Sequence, residues 1–296
     1  MASHNQTPQQ TIIYLNRRNK MINFSVPKNY NNTQLLSTVS KLYPQISYST
    51  LCKLLRKKDI KINGKRINEN TKIFANDLIE IYYENKLDIV FEDDNIIVIN
   101  KTIGLEVNEE NTTKSLLTLL KEQLKIDLYP CHRLDRNTTG LVIFAKNTDA
   151  LHILEEKIKN KEIQKYYRCR VIGHLKKDSD TLSAYLFKDS KKSTVYISSE
   201  KKEGYMPITT KYKVLSTDAE TSTLEVLLVT GRTHQIRAHM AFIGHPIVGD
   251  GKYGNNEFNK KHKKKFQDLT AYKLVFNFTT DAGILNYLNG KEIKLF

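Results

Sequence analysis

The chain has 296 residues, with 47 Lys and Arg against 32 Asp and Glu and a formal net charge of +15. Domains commonly run to about 100–200 residues, so one full enzyme domain and a small accessory module fit, and the charge calls for a polyanionic partner, nucleic acid before a membrane surface. No apolar run approaches the ~18 residues that cross a bilayer, the start MASHNQTPQQ is polar rather than a signal peptide, and Cys52, Cys131 and Cys169 are too dispersed for a disulfide framework or zinc knuckle, so the expectation is a cytoplasmic protein with reduced thiols.

Residues 1 to 11 show no periodicity and are expected to be disordered. The segment IIYLNRRNKMINFSVP reads as one or two strands. TQLLSTVSKLYP then sets Leu35, Leu36, Val39 and Leu42 at helical spacing and stops at Pro44. A second helix follows in SYSTLCKLLRKKD, capped by Ser47 or Ser49, with Leu51, Leu54 and Leu55 as its buried stripe. IKING, a turn at Asn63-Gly64 and NDLIEIYY complete the module as short strands.

This order, with KKDIKINGKRI and the closing NDLIEI, resembles the alpha-L RNA-binding domain first named from a small-subunit ribosomal protein. Between Ser47 and Arg66 stand Lys53, Arg56, Lys57, Lys58, Lys61, Lys65 and Arg66 against Asp59 alone. A charge run is ordinarily a solvated face. Placed on one helix and the adjoining turn, it also has the form of a phosphate-tracking surface. Tyr48 stands where the family commonly has arginine. The expected divisions are an RNA-binding domain over 12–83, a linker over 84–88 inside the acidic stretch from Asp77 to Asp94, and a catalytic domain over 89–296.

The second module opens with DNIIVINKTIGLEVN, read as a buried strand over Ile96 to Ile99, a turn at Lys101 and a second short strand. TKSLLTLLKEQL is an amphipathic helix with Leu116, Leu119, Leu120 and Leu124 inward. It leads to CHRLDRNTTGLVIFAKN, residues 131 to 147, where Asp135 lies between Arg133 and Arg136. Asn137, Thr138, Thr139 and Gly140 read as a turn before the apolar strand LVIFA. An acid flanked by guanidiniums is expected to stay ionised and able to act as nucleophile or base. The bare Arg-Leu-Asp triplet has a bland reading too, a surface ion pair contributing little.

The longer string HRLDRNTTGLVIFAK resembles the catalytic motif of RluA-type pseudouridine synthases, in which HRLD is followed by two variable positions, Thr-Ser/Thr-Gly-Leu and an apolar strand ending in Ala-Lys. The resemblance implies an α+β fold built on a mixed, largely antiparallel sheet with flanking helices, and makes Asp135 the catalytic nucleophile. NKTIGL is similar to the family's entry strand, with Thr102 in place of proline.

NTDALHILEEKIKNK is a capped helix with Leu151, Leu154 and Ile158 on one face. In QKYYRCRVIG, alternation puts Tyr167, Cys169 and Val171 on the buried side of a strand. A buried tyrosine is ordinarily a core residue. The family's Lys-x-Tyr strand instead supplies a tyrosine that stacks on the target base, and Lys165-Tyr166-Tyr167 matches its spacing. Residues 174 to 222 alternate short strand-like pieces with polar turns.

TLEVLLVTGRTHQIRAHMAFIGHPIVGDGKYG reads as a strand, a turn at Gly231, a helix capped by Thr230 or Thr233, and a stop at Gly244. Ile236, Met240 and Ile243 form its packed stripe. His234, His239 and His245 lack His-Glu-x-x-His spacing, so no metal is expected. GRTHQIR resembles the family's second motif, whose second arginine pairs with the aspartate. This assigns Arg237 that role and leaves Arg232 to position the loop or contact phosphate. KKHKKK, residues 260 to 265, reads as a basic loop. LTAYKLVFNF is similar to the closing strand, with Thr270 and Asn277-Phe278 in place of the usual histidine before alanine and His-Pro after phenylalanine.

Isomerising uridine in RNA needs neither redox chemistry nor an added group, so no cofactor is implied. The expected catalytic set is Asp135, Tyr167 and Arg237. Arg133 fills the gap left by the flipped nucleotide, His132 supports it, and Arg232, His234 and Ile236 complete the substrate contacts. The expected partner is RNA, large-subunit ribosomal RNA before transfer RNA, with no obligate protein partner. A non-catalytic RNA-binding or ribosome-assembly protein is the alternative.

Overall fold

The computed structural model describes residues 21–43, 46, 48–83, 87–108 and 115–296. The expected disorder of 1–11, the strand signal before residue 21, the stop at Pro44, the cap at Ser47 and most of the 84–88 linker lie outside the described residues. The chain forms two compact units that divide between Lys86 and Leu87.

The first unit contains β1 (Met21–Ser25), β2 (Thr33–Gln34), α1 (Leu35–Leu42), α2 (Tyr48–Arg56), β3 (Ile60–Ile62), β4 (Lys65–Ile67), β5 (Lys72–Ile73) and β6 (Leu78–Tyr82). Its sheet has the order β1-β6-β3-β4, and β2 pairs with β5. The two helices bury Leu35, Leu36, Val39, Leu51 and Leu55 against Ile60, Ile79 and Ile81, the apolar stripe that their spacing requires. Asn63 and Gly64 both take positive φ, 49° and 79°, in the tight turn between β3 and β4.

The second unit runs β7 (Ile89–Glu92), β8 (Ile96–Lys101), α3 (Leu116–Leu124), β9 (Tyr129–Pro130), β10 (Thr139–Ala145), α4 (Thr148–Lys159), β11 (Ile163–Ile172), β12 (Ser179–Asp189), β13 (Thr194–Ser198), β14 (Met206–Thr217), β15 (Thr221–Leu228), α5 (Gln235–Phe242), α6 (Asn256–Lys261), β16 (Leu269–Phe276) and β17 (Glu292–Lys294). One sheet joins its strands in the order β13-β12-β14-β15-β11-β16-β10-β8-β7, with β9 on β10 and β17 on β16. All of these pairings are antiparallel except β10 with β16. The expected α+β class with a mixed, largely antiparallel sheet and flanking helices is therefore what forms.

Both faces of the sheet carry a core. Val142 and Phe144 of β10 point into one, with Leu116, Leu120, Tyr167, Ile236 and Met240; Leu141, Ile143 and Ala145 point into the other, with Leu154, Phe276 and Leu285. A central strand buried on two faces must be apolar at every position, which is why LVIFA shows no alternation. Each such side chain contributes about 1.5–3 kcal/mol on burial, so the strand is a fixed base for the loop before it.

Five local expectations are corrected. Only Arg136 and Asn137 form the turn after Asp135, because Thr139 and Gly140 already belong to β10. Gly140 has φ +111°, and a Cβ there would lie 2.1 Å from the Ala271 carbonyl oxygen, so glycine is what lets β10 and β16 meet. Residues 102–108 form no second strand after Lys101. Its buried amine instead donates to the carbonyls of Thr102, Leu105 and Arg136 at 3.1, 3.0 and 3.1 Å, fastening the segment as a loop.

The pieces expected over 174–222 merge into long strands, β12 and β14, of 11 and 12 residues. Exposed polar residues alternate along them and disguise their length. Lys260 and Lys261 close α6 rather than lying in a loop, with Asn255 accepting from the Phe258 amide as its cap. The N-cap of α5 is His234, in the left-handed region at φ +53° and without a side-chain cap bond. Thr230 does not cap this helix: its hydroxyl donates to Gln235 Oε1 at 2.9 Å.

Candidate active site

The segment 131–138 is an irregular loop held at both ends. His132 Nε2 accepts from the Ile143 amide at 3.1 Å, and the Asp135 carbonyl accepts from the Thr138 amide at 3.0 Å. Lys101, reaching the Arg136 carbonyl, ties the middle of the loop to the end of β8. His132 is therefore fixed to the strand behind it and not to the Arg133 side chain. Burial above all, and then the Lys165 charge, push its pKa down to about 3, so its ring is neutral.

Asp135 opens into a cavity of ≈ 280 Å³ lined also by His132, Arg133, Lys165, Tyr167, Arg232, His234, Ile236 and Arg237. All eight residues expected at the catalytic and substrate positions border this one space. The seven basic candidates Lys53, Arg56, Lys57, Lys58, Lys61, Lys65 and Arg66 belong to the first unit.

The acid's guanidinium partner is Arg237, whose Nη1 donates to Asp135 Oδ2 at 3.0 Å from α5. The two sequence neighbours turn elsewhere: Arg133 Nη2 lies 3.7 Å from Glu106 Oε2, and Arg136 Nε donates to the Gly104 carbonyl at 3.2 Å. The expectation that Arg133 and Arg136 flank the carboxylate is thus corrected, because the loop carries one guanidinium to Glu106 and the other to the Gly104 carbonyl.

Arg237 is held from behind. Its Nε and Nη2 donate to Asp250 Oδ2 and Oδ1 at 2.7 and 3.1 Å, a bidentate pair with a fully buried acid. Asp250 Oδ1 also accepts from the amides of Lys252 and Tyr253 at 2.8 and 3.0 Å. Burial alone would raise the Asp250 pKa; the Arg237 hydrogen bonds and charge outweigh it and leave the pKa lowered. The Tyr253 ring covers the guanidinium, 5.3 Å from its Cζ.

Tyr167, on β11, lines the same cavity and is 5% exposed. Burial first, and the Asp135 charge second, raise its pKa well above the usual phenol range, so the hydroxyl keeps its proton. Lys165 precedes it by two residues on the same strand and lines the same cavity, its pKa lowered by burial. Ile236 is 4% exposed and packs in the core with one edge on the cavity, whereas Arg232 is exposed at the rim.

The string GRTHQIR folds around Gln235. Its Oε1 accepts from Thr230 Oγ1 and the Arg232 amide, and its Nε2 donates to the Thr209 carbonyl and Thr210 Oγ1. This buried amide fixes the loop and so the height at which His234 and Arg237 enter. His239 is neutral, with burial pushing its pKa down to about 4, and its Nδ1 lies 3.0 Å from Thr210 Oγ1. Among the described residues no three His, Cys, Asp or Glu side chains converge as a metal-binding group.

Sequence reasoning assigned no role to Asp250, Lys101, Lys165 or Tyr253. Lys165 was accessible from strand alternation, two residues before Tyr167. The others stand in the motif strings with no local sign of a role, since only the fold brings Lys101 to the Arg136 carbonyl, Asp250 to Arg237 and Tyr253 to His234.

In the first unit, β3 and β4 place Lys61 opposite Arg66, and both cations lie over the Tyr82 ring at 4.9 and 5.3 Å. Arg66 Nη1 also donates to the Lys58 carbonyl at 2.6 Å. Lys53, Arg56, Lys57, Lys58 and Lys65 are exposed, as is Tyr48.

The pattern of the family described as RNA pseudouridylate synthase matches residues 95–242. A Mycoplasma capricolum protein described as an uncharacterized RNA pseudouridine synthase is 32% identical, over 92% of this chain and 97% of that protein. The ribosomal large subunit pseudouridine synthase C of Vibrio cholerae is 32% identical, over 72% of this chain and 74% of its own length. The solved structure of human RNA pseudouridylate synthase domain containing 1 superposes with a TM-score of 0.57 at 26% identity, over 66% of this chain and 80% of that one. Among the described residues no helix is long and apolar enough to cross a membrane.

Proposed function

The chain belongs to the RNA pseudouridylate synthase family, as an enzyme of the RluA type, and on that premise we propose that it converts uridines of large-subunit ribosomal RNA to pseudouridine with Asp135 as its nucleophile. The observation that carries this reading is the Asp135–Arg237 contact of 3.0 Å at a cavity that Tyr167 also lines. Pseudouridine formation breaks the bond between ribose and the base nitrogen, turns the uracil over and rejoins it through a ring carbon. An ionised acid, a fixed cation and a flat apolar surface for the detached base are what that sequence of steps requires. Asp135, Arg237 and Tyr167 supply them in turn.

The target nucleotide has to leave its stack, at a cost of about a few kcal/mol. Arg133 is assigned to the vacated place: it is 69% exposed at the mouth, and its contact to Glu106 at 3.7 Å is loose. Arg232 at the rim is suited to the RNA backbone. The first unit, with its resemblance to the alpha-L domain and its seven cations, is assigned to general RNA grip over roughly residues 12–83. The ribosomal target rests on the named activity of relatives such as the Vibrio cholerae protein.

The decisive experiment is Asp135→Asn. The expected result is an intact fold and RNA affinity with no pseudouridine formed; normal turnover would remove the proposed mechanism. Mapping pseudouridines across total RNA with and without the protein tests the target. New sites in transfer RNA instead would reassign the substrate, and no change in any RNA would favour a non-catalytic binder.

A further inference from the structure

His234 has two ring nitrogens with different neighbours. Nδ1 lies 2.9 Å from the Tyr253 hydroxyl, and Nε2 lies 3.9 Å from Asp135 Oδ2. The Tyr253 oxygen already accepts the Val195 amide at 2.9 Å. Its own proton therefore needs an acceptor, and His234 Nδ1 is the one at hand. If Nδ1 carried the proton instead, the hydroxyl would receive two donors and leave its hydrogen unpaired in a half-buried position, a costly arrangement. Nε2 would then direct a lone pair at a carboxylate. Both ends of the ring select the same form.

We propose that Tyr253 fixes His234 as the Nε2–H tautomer, so that this imidazole presents a hydrogen-bond donor to the Asp135 carboxylate beside Arg237. This rests on the reading of Asp135 as the reactive group. The separation is 3.9 Å, and in the proposed complex with substrate it shortens to a hydrogen bond. Burial is the main influence lowering the His234 pKa. Arg237 and Lys252 add to it, Asp135 and Asp250 oppose it, and the ring is neutral near pH 7. A neutral ring with a directed N–H orients the carboxylate without protonating it.

The backbone supports the assignment. His234 sits at φ +53°, in the left-handed region that histidine and asparagine enter more readily than most side chains. The rings of His234 and Tyr253 meet edge to face at 5.6 Å, which keeps the imidazole turned with Nδ1 toward the hydroxyl. The donor role ends on Asp135, which makes His234 and Tyr253 positioning residues.

The test begins with nitrogen-15 NMR of the full chain labelled at histidine, with His234 assigned by its loss in His234→Gln. The expected spectrum at pH 7 shows a bare Nδ1 and a protonated Nε2; the reverse tautomer would overturn the proposal. Tyr253→Phe keeps the ring over Arg237 and removes the hydroxyl. It is expected to mix the tautomers and lower kcat about tenfold with little change in KM, the worth of one hydrogen bond to a charged group. An unmixed Nε2–H spectrum in that variant would show that Tyr253 does not set the tautomer.

His234→Gln keeps an amide donor at the reach of Nε2, whereas His234→Asn suits the left-handed backbone but falls short. Greater residual kcat in the glutamine variant supports the donor role; equal or greater activity with asparagine would reduce His234 to a backbone role. If instead Asp135→Asn turned over normally while the tautomer stood, the Asp135 reading would fail on its own.

Discussion

Asp250 receives Arg237 through two parallel hydrogen bonds of 2.7 and 3.1 Å and is itself fully buried, so the arginine that meets Asp135 has one orientation available to it. A guanidinium shared by two acids is aimed, not merely attracted. Asp250→Asn is expected to leave a buried cation poorly compensated, lowering stability by about 3 kcal/mol. The same change should cut kcat at least tenfold by tilting Arg237 away from Asp135. Thermal melts and single-turnover assays on the same preparation check both; unchanged kcat would mean that Asp135 alone orients the pair.

Gly140→Ala would insert a Cβ 2.1 Å from the Ala271 carbonyl oxygen at a residue with φ +111°. Backbone cannot yield there as a flexible side chain could. The expected loss is more than about 3 kcal/mol, read as a lowered urea midpoint or an insoluble product.

Lys157 and Glu162 make a buried ion pair of 2.8 Å under the C-terminal segment, and Thr279 and Thr280 also bond the carboxylate. The Lys157 hydrogen bond is the main cause that holds the Glu162 pKa down to about 2, opposed by desolvation and assisted by the threonines. A depressed folded-state pKa stabilises wherever the carboxylate is ionised in both states, above the unfolded value of about 4.3. As pH falls from there toward 2 the unfolded chain takes up a proton first, and the contribution is lost. The stability difference between the wild-type protein and Glu162→Gln should be constant from pH 7 to 5 and shrink between pH 4 and 2. A difference independent of pH would contradict this.

If the first unit grips RNA through its cations, replacing Lys57, Lys58 and Lys65 by glutamine should flatten the dependence of log affinity on log salt. The expected decrease in slope is about two, at roughly 0.7 for each phosphate contact with a single strand. Filter binding to ribosomal RNA across a salt series measures it. An unchanged slope would place the phosphate contacts elsewhere.

The helix stripes and the buried side of Tyr167 were legible because burial on one face writes itself as periodicity, and the sheet's central strand because burial on both faces leaves an unbroken apolar run. Asp135 and Arg237 stood out because their residue strings are long and specific. Asp250 lay in plain view inside GHPIVGD without a role, since nothing local reveals that a guanidinium 13 residues earlier on α5 needs a second acid. The cap of α5 was misread for a related reason. Thr230 is a good capping residue, but here it serves the buried Gln235 amide, while His234 adopts a backbone conformation that composition does not announce. The length of β12 and β14 was concealed by half-exposed alternation, in which turn-forming and strand residues look alike.

The pairing of β10 with β16 has a consequence for the order in which the molecule comes into being. Asp135 precedes β10, Tyr167 lies on β11, and the link between those two strands in the sheet is β16, which joins β10 through Thr139–Thr270 and Gly140–Ala271. A nascent chain that has emerged as far as Arg237 holds Asp135, Tyr167 and Arg237 but not the strand that unites the two halves of the proposed centre. Competence therefore arrives late in translation, when residues 269–276 clear the exit tunnel and slot between partners made long before.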